Sequence, residues 1–68
     1  MKIFQERLAE QRKYSGTTQR QMAEYLHITQ PSYIRYENGT AEPSLDNLVK
    51  IADFFDVSVD YLLGRTEY

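Results

Sequence analysis

No stretch of this chain alternates apolar and polar side chains for long enough to make a strand, whereas helical spacing recurs from end to end. A chain so patterned has to bury its apolar stripes helix against helix. Its 68 residues leave room for one small domain that buries only about 60% of its unfolded surface. The helices must therefore pack economically or share an interface. There is no cysteine, hence no disulfide framework and no thiolate metal site. No apolar run approaches the length of a membrane span. The opening Met1-Lys2-Ile3-Phe4-Gln5 turns polar too early for a signal peptide. The chain reads as a single cytoplasmic domain over residues 1–68.

Local signals divide it into five helices. The first, roughly 2–14, puts Phe4, Leu8 and Arg12 on one stripe, and Gly16 is free to adopt the left-handed conformation that closes it. Thr18 with Gln21 fits a capping box for the second, whose apolar face is Met22, Ala23 and Leu26. His27 falls where a short helix must turn, a place that often requires a positive φ. Thr29 caps a third helix that carries Pro31 in its first turn and runs to Glu37 before Asn38-Gly39 stops it. Ser44 caps the fourth, with Leu45, Leu48, Ala52 and Phe55 as its stripe and Asp46 suited to the helix dipole. Ser58 caps a last short helix, Val59 to Leu63, closed by Gly64. No internal repeat or linker is apparent.

The second and third helices are joined by only a few residues, and Ala23 suits a close crossing between them. The third helix then splits into two sides. Tyr33, Tyr36 and Glu37 lie on one, and Gln30, Pro31, Ile34 and Arg35 on the other. An amide, an aliphatic group and a guanidinium on an exposed helix face are the groups that read base edges in a major groove. In a helix-turn-helix the start of the second helix meets those bases.

These residues make the sequence similar to a known family. Thr18 through Leu26, then Ile28-Thr29-Gln30 and Tyr36-Glu37-Asn38-Gly39, resemble the Cro and phage-repressor type of helix-turn-helix, which includes the xenobiotic-response-element regulators of bacteria. Pro43-Ser44-Leu45 and Val57 through Gly64 match the family's closing stretch. The likeness runs from about Leu8 to Gly64, with the helix-turn-helix at about residues 19–38. It implies a lambda-repressor-like fold and a sequence-specific regulator of transcription, a repressor that occludes a near-palindromic operator in double-stranded DNA.

The resemblance also implies roles. Gln30, Ser32, Ile34 and Arg35 take the base-facing positions, and Gln19, Thr29, Asn38 and Thr40 approach phosphates. Arg12 and Glu37 match an ion pair that ties the first helix to the third. Family members commonly pair through the last helix, where Val59, Tyr61 and Leu63 cannot all enter the core beside Leu62, so a weak homodimer is expected. The chain also departs from the pattern. Thr40, Ala41 and Glu42 follow Gly39 where basic residues are usual, which lowers the expected number of phosphate contacts and the salt slope. Thr17, His27 and Ile34 stand where leucine, glycine and a small polar residue are more common.

Charge tempers the nucleic-acid reading. The net charge is −2. It is unevenly spread, because residues 1–40 carry six cations against four carboxylates and residues 41–68 carry two against six. The N-terminal half can face an anion while the rest is held away. The competing readings are plain ones. Surface arginines usually pair with acids, and the tyrosines suit a core or an interface as well as a stacking platform, with Tyr33 and Tyr36 expected inside and Tyr14, Tyr25 and Tyr61 at the surface or an interface. His27 is a lone imidazole, so no metal is expected. No nucleophile–base arrangement suggests an enzyme, and no cofactor or small-molecule ligand is indicated. The alternative function is a protein-interaction module of the same fold, such as an antitoxin or a partner-regulated adaptor.

Overall fold

The computed structural model describes residues 1–68 and contains helices only: α1 (Lys2–Tyr14), α2 (Gln19–Leu26), α3 (Gln30–Asn38), α4 (Leu45–Phe55) and α5 (Val59–Leu62). None is long and apolar enough to cross a membrane. Their starts follow from side-chain chemistry. Thr18 accepts from the Gln21 amide while Gln21 Oε1 accepts from the Thr18 amide, a complete capping box. Thr29, Ser44 and Ser58 cap the next three helices through the amides of Ser32, Asn47 and Tyr61. Each such cap contributes about 1 kcal/mol, a substantial fraction of the stability of so small a domain.

Phe4 and Leu8 of α1, Met22, Ala23 and Leu26 of α2, Tyr33 and Tyr36 of α3, Ile51 and Ala52 of α4 and Leu62 of α5 are buried and form one core. Three expectations need correction. α3 runs one residue further, to Asn38, because Gly39 is the residue that takes the left-handed conformation. α5 ends at Leu62, since the Gly64 and Arg65 amides already turn back to Tyr61 and Asp60. Leu45 sits on the expected stripe of α4 but is 82% exposed. The stripe overhangs the core at its first turn, and wholly buried Ile51 does the packing instead.

The structure also contains a repeat that the bare sequence conceals. At Leu26-His27-Ile28-Thr29, His27 has φ 57° and ψ 42°, and the Ile28 amide bonds Ala23 O at 3.0 Å. At Phe55-Asp56-Val57-Ser58, Asp56 has φ 54° and ψ 46°, and the Val57 amide bonds Ala52 O at 3.0 Å. In each turn a left-handed residue closes a helix, a β-branched aliphatic residue packs on the core, and a hydroxyl caps the next helix. The two alanines that accept these bonds, Ala23 and Ala52, are both buried. Tyr25 and Phe54, which precede the two turns at matching positions, pack ring against ring with centroids 4.8 Å apart. The α2–α3 and α4–α5 units are two versions of one backbone device.

Candidate nucleic-acid interface

The inner side of α3 is fixed by a polar network set in the core. Arg12 Nε and Nη2 donate to the two oxygens of Glu37 at 2.6 and 3.0 Å, a bidentate pair with side-chain exposures of 13% and 9%. Arg12 Nη1 also donates to Thr17 O at 3.1 Å. The Tyr33 hydroxyl donates to Glu37 at 2.5 Å and Gln19 Nε2 at 3.2 Å. One carboxylate thus ties together α1, α2 and both turns of α3. Burial alone would raise the Glu37 pKa, but the hydrogen bonds from Arg12, Tyr33 and Gln19 outweigh it and hold the carboxyl below its usual range. The hydrogen bond to Glu37 raises Arg12 in turn. Burial, then Glu37, keeps the Tyr33 phenol protonated well beyond its ordinary range. With Tyr33 wholly buried and Tyr36 nearly so, the helix cannot roll about its axis.

The outer side of α3 is therefore held toward solvent. Gln30, Pro31 and Arg35 are exposed, and Ser32 and Ile34 are half-buried. Arg35 takes part in none of the ion pairs, which join Arg7 to Glu67, Arg12 to Glu37, Arg65 to Asp60 and the N-terminal amine to Glu42. That leaves Lys2, Lys13, Arg20, Arg35 and Lys50 unpaired, and only Lys50 lies outside the first 40 residues. The unneutralised positive charge is concentrated in the N-terminal half, which contains α2 and α3.

The residues expected at phosphates are placed less uniformly. Asn38 Oδ1 accepts from both the amide and the hydroxyl of Thr40, at 3.1 and 2.8 Å. This fixes the amide group and directs Nδ2 away as a donor, while the Thr40 hydroxyl proton is committed to Asn38. The Thr29 hydroxyl donates to Ser32 Oγ at 2.8 Å, so the proton available to a ligand is that of Ser32. Gln19 is half-buried, with one of its amide protons given to Glu37 and a second remaining. Gln19, Ser32 and Asn38 can donate; Thr29 and Thr40 orient their neighbours.

Near α5, Val59, Tyr61 and Leu63 are half-buried and pack against the core. Leu63 also lines a groove of ≈ 190 Å³, mostly apolar, with Met1, Phe4, Glu42, Pro43, Leu45 and Leu48. One residue that sequence reasoning passed over is Arg7. Its Nη1 donates to Tyr61 O at 2.5 Å and to Thr66 O at 2.7 Å, and its guanidinium lies 4.3 Å over the Tyr61 ring. This fastens the C-terminal residues to α1. The signal was present in the i, i+4 spacing of Ile3, Arg7 and Gln11, a second stripe beside Phe4 and Leu8.

Two short helices joined through His27-Ile28-Thr29, the second locked on its inner side and free on its outer side, define a helix-turn-helix domain. A family model described as helix-turn-helix matches residues 8–62, and the chain belongs to the Cro and phage-repressor type of that family. Over 65 residues it is 52% identical to the cryptic phage CTXphi transcriptional repressor RstR of Vibrio cholerae O1, covering 96% of this chain and 57% of that protein. Over 61 residues it is 46% identical to the uncharacterized transcriptional regulator YqaE of Bacillus subtilis, covering 90% and 53%. Over 64 residues it is 44% identical to the prophage-derived regulator YonR of the same organism, covering 94% and 59%. The chain thus spans somewhat more than half the length of these relatives. No solved structure matches it.

Proposed function

We propose that the chain is a sequence-specific binder of double-stranded DNA that regulates transcription, acting as a repressor by covering its operator. The observation that carries this reading is the two-sided character of α3. Its inner side is immobilised by Tyr33, Tyr36 and Glu37, and its outer side presents Gln30, Ser32, Ile34 and an unpaired Arg35. In a major groove Arg35 would bond guanine and Gln30 adenine. Gln19 and Asn38 would hold phosphates at either end of the helix pair and set its register. The names of the relatives support the regulatory role. Occlusion requires no chemistry and no cofactor.

The domain would act as a homodimer. A single copy touches one half-site, too few base pairs to stand out among a genome's competing sites. The molecule measures 29 × 23 × 20 Å, so two copies in contact can place their α3 helices at the roughly 34–36 Å that separates half-sites one turn apart. The groove at Leu63, with the exposed Leu45 at its rim, supports pairing beside α5. The patch is small, so the dimer should be weak and stabilised by DNA.

Electrophoretic retardation of genomic fragments across a salt series tests both statements. Retention of a few fragments, with a shallow salt slope and two protein copies per site, is expected. Absence of retention alongside co-purification of a tight protein partner would assign the fold to protein interaction instead.

A further inference from the structure

We infer that Asn38-Gly39 is a site of hydrolytic modification, at which the Gly39 nitrogen displaces the Asn38 side-chain amide, and that the α3 cap holds this reaction back for as long as the Gly39 amide stays on Arg35 O. The modification needs only water. Its consequence for DNA rests on the reading above.

The fold itself puts the two residues together. Position 39 has φ 85°, where a side chain is strained, and a Cβ there would have to displace the Gln5 side chain of α1. Glycine answers both constraints, and it leaves its own nitrogen unhindered. Asn38 is exposed, and its Oδ1 accepts from the Thr40 amide and hydroxyl at 3.1 and 2.8 Å. These bonds polarise Cγ toward attack, while Nδ2 has no protein partner to retain it. Asn47, the chain's other asparagine, differs on each count. It is half-buried, its Nδ2 donates to the Tyr36 hydroxyl at 3.3 Å, and the branched Leu48 follows it.

The nucleophile is what the structure restrains. The amides of Gly39, Thr40 and Ala41 converge on Arg35 O at 3.0, 3.1 and 3.3 Å, so the Gly39 proton is committed. As the last residue of α3, Asn38 has helical backbone angles, which keep the Gly39 nitrogen away from Cγ. Once the last turn opens, that nitrogen gives its proton to water and bonds Cγ. The Cγ–Nδ2 bond breaks, and Nδ2 leaves as ammonia with a proton from solvent. One water then opens the five-membered imide. Breaking the new N–Cγ bond leaves an aspartate, and breaking the bond from the same nitrogen to the main-chain carbonyl leaves an isoaspartate. In sum one water is consumed and one ammonia released. The rate is set by how often the last turn of α3 opens.

Either product exchanges a donor for a negative charge at the end of α3, where a carboxylate opposes the helix dipole and repels a phosphate. A phosphate held by Asn38 would keep the turn closed. Free protein therefore ages toward a form that binds poorly, and bound protein is spared.

The test incubates the parent chain, native and in urea, at mildly alkaline pH and follows it by peptide mapping that separates aspartate from isoaspartate. Asn38 should react in both, about tenfold or more slowly in the native chain, and Asn47 in neither over the same time. The native slowing should match the hydrogen-exchange protection of the Gly39 amide, since one opening exposes both. No reaction at Asn38 in urea, or equal rates in the two states, would overturn the inference. Binding is then read with a duplex selected from a random pool, whose addition should slow the reaction further. The reacted chain, and Asn38→Asp once circular dichroism shows it folded, should bind all sequences about tenfold more weakly. Asn38→Gln, whose longer side chain closes the ring poorly, should keep through the incubation whatever affinity it starts with. A reacted chain that binds the duplex unchanged would overturn the functional consequence. Failure to select any duplex would overturn the DNA-binding reading and leave the modification site standing.

Discussion

The α2–α3 and α4–α5 turns share their backbone almost hydrogen bond for hydrogen bond, and only one of them opens onto a face that could read DNA. His27 and Asp56 take the same left-handed conformation, Ile28 and Val57 seat on the core, and Thr29 and Ser58 each cap the second helix of their unit. Those second helices differ. After Thr29 comes a helix of 9 residues whose outer side is Gln30, Pro31, Ile34 and Arg35. After Ser58 comes a helix of 4 residues, Val59 to Leu62, in which Val59 and Tyr61 lean on the core and Arg7 bonds the Tyr61 carbonyl. The turn is thus a way of crossing two helices, with no chemical preference of its own. The two units differ in the length of the second helix, in the groups that anchor its inner side, and in the charge around it. An arginine of α1 anchors each second helix, but Arg12 does so through the shielded Glu37 carboxylate whereas Arg7 holds the Tyr61 carbonyl and ring.

That asymmetry can be tested by breaking each unit in turn. The largest effect should come from Glu37→Gln, which removes the charge partner of a nearly buried Arg12 and costs about 3–5 kcal/mol in urea or thermal unfolding. A loss under about 1 kcal/mol would show that the network does not anchor α3. The same group sets an acid limit. The folded carboxyl is held below its unfolded value, so its contribution is complete above the unfolded pKa, 4.5, and is lost as pH falls through the lower folded value. The parent chain should therefore lose stability below about pH 4.5 more steeply than Glu37→Gln. Parallel acid titrations of the two proteins by circular dichroism would show whether the curves converge.

A smaller effect should treat the two units alike. Ala23→Leu and Ala52→Leu both overfill a helix crossing and should each cost about 1–3 kcal/mol. If only one of them destabilised the fold, the two turns would not be equivalent. Smallest is the relief of the left-handed residues. His27→Gly and Asp56→Gly should each stabilise by at most about 1 kcal/mol, read as a rise in thermal midpoint. A fall at either position would mean that the side chain contributes a contact worth more than its strain.

How much of this was legible in the sequence depended on the range of the interaction. Thr18, Gln21, Thr29, Ser44 and Ser58 bond amides three residues away, so local spacing alone placed them. His27 was recognisable because an apolar face ended immediately before it. Asp56 plays the same part without having been singled out by its spacing. Leu45 was misplaced because periodicity gives the side of a helix and not how far the neighbouring elements extend along it. Arg7 reaches Tyr61 and Thr66 across more than fifty residues, a pairing that no local rule supplies. The face of α3 was legible from its spacing. The division of Thr29, Ser32, Asn38 and Thr40 into donors and orienters was not, since it depends on which proton each hydroxyl gives away.

If the outer side of α3, and no other surface, selects a DNA sequence, then Arg35 is the residue that tests it most directly. It is exposed and unpaired, so its loss should leave stability unchanged. Selection from a random duplex pool would be run in parallel with the parent chain and Arg35→Ala, with quantitative sequencing of the duplexes each retains. The parent chain should enrich a motif with two related half-sites. The variant should enrich the same motif with preference relaxed at one base pair in each half-site and affinity lowered by about 1–3 kcal/mol. Equally sharp motifs from both proteins, or no enriched motif from the parent chain, would contradict a recognition role for this face.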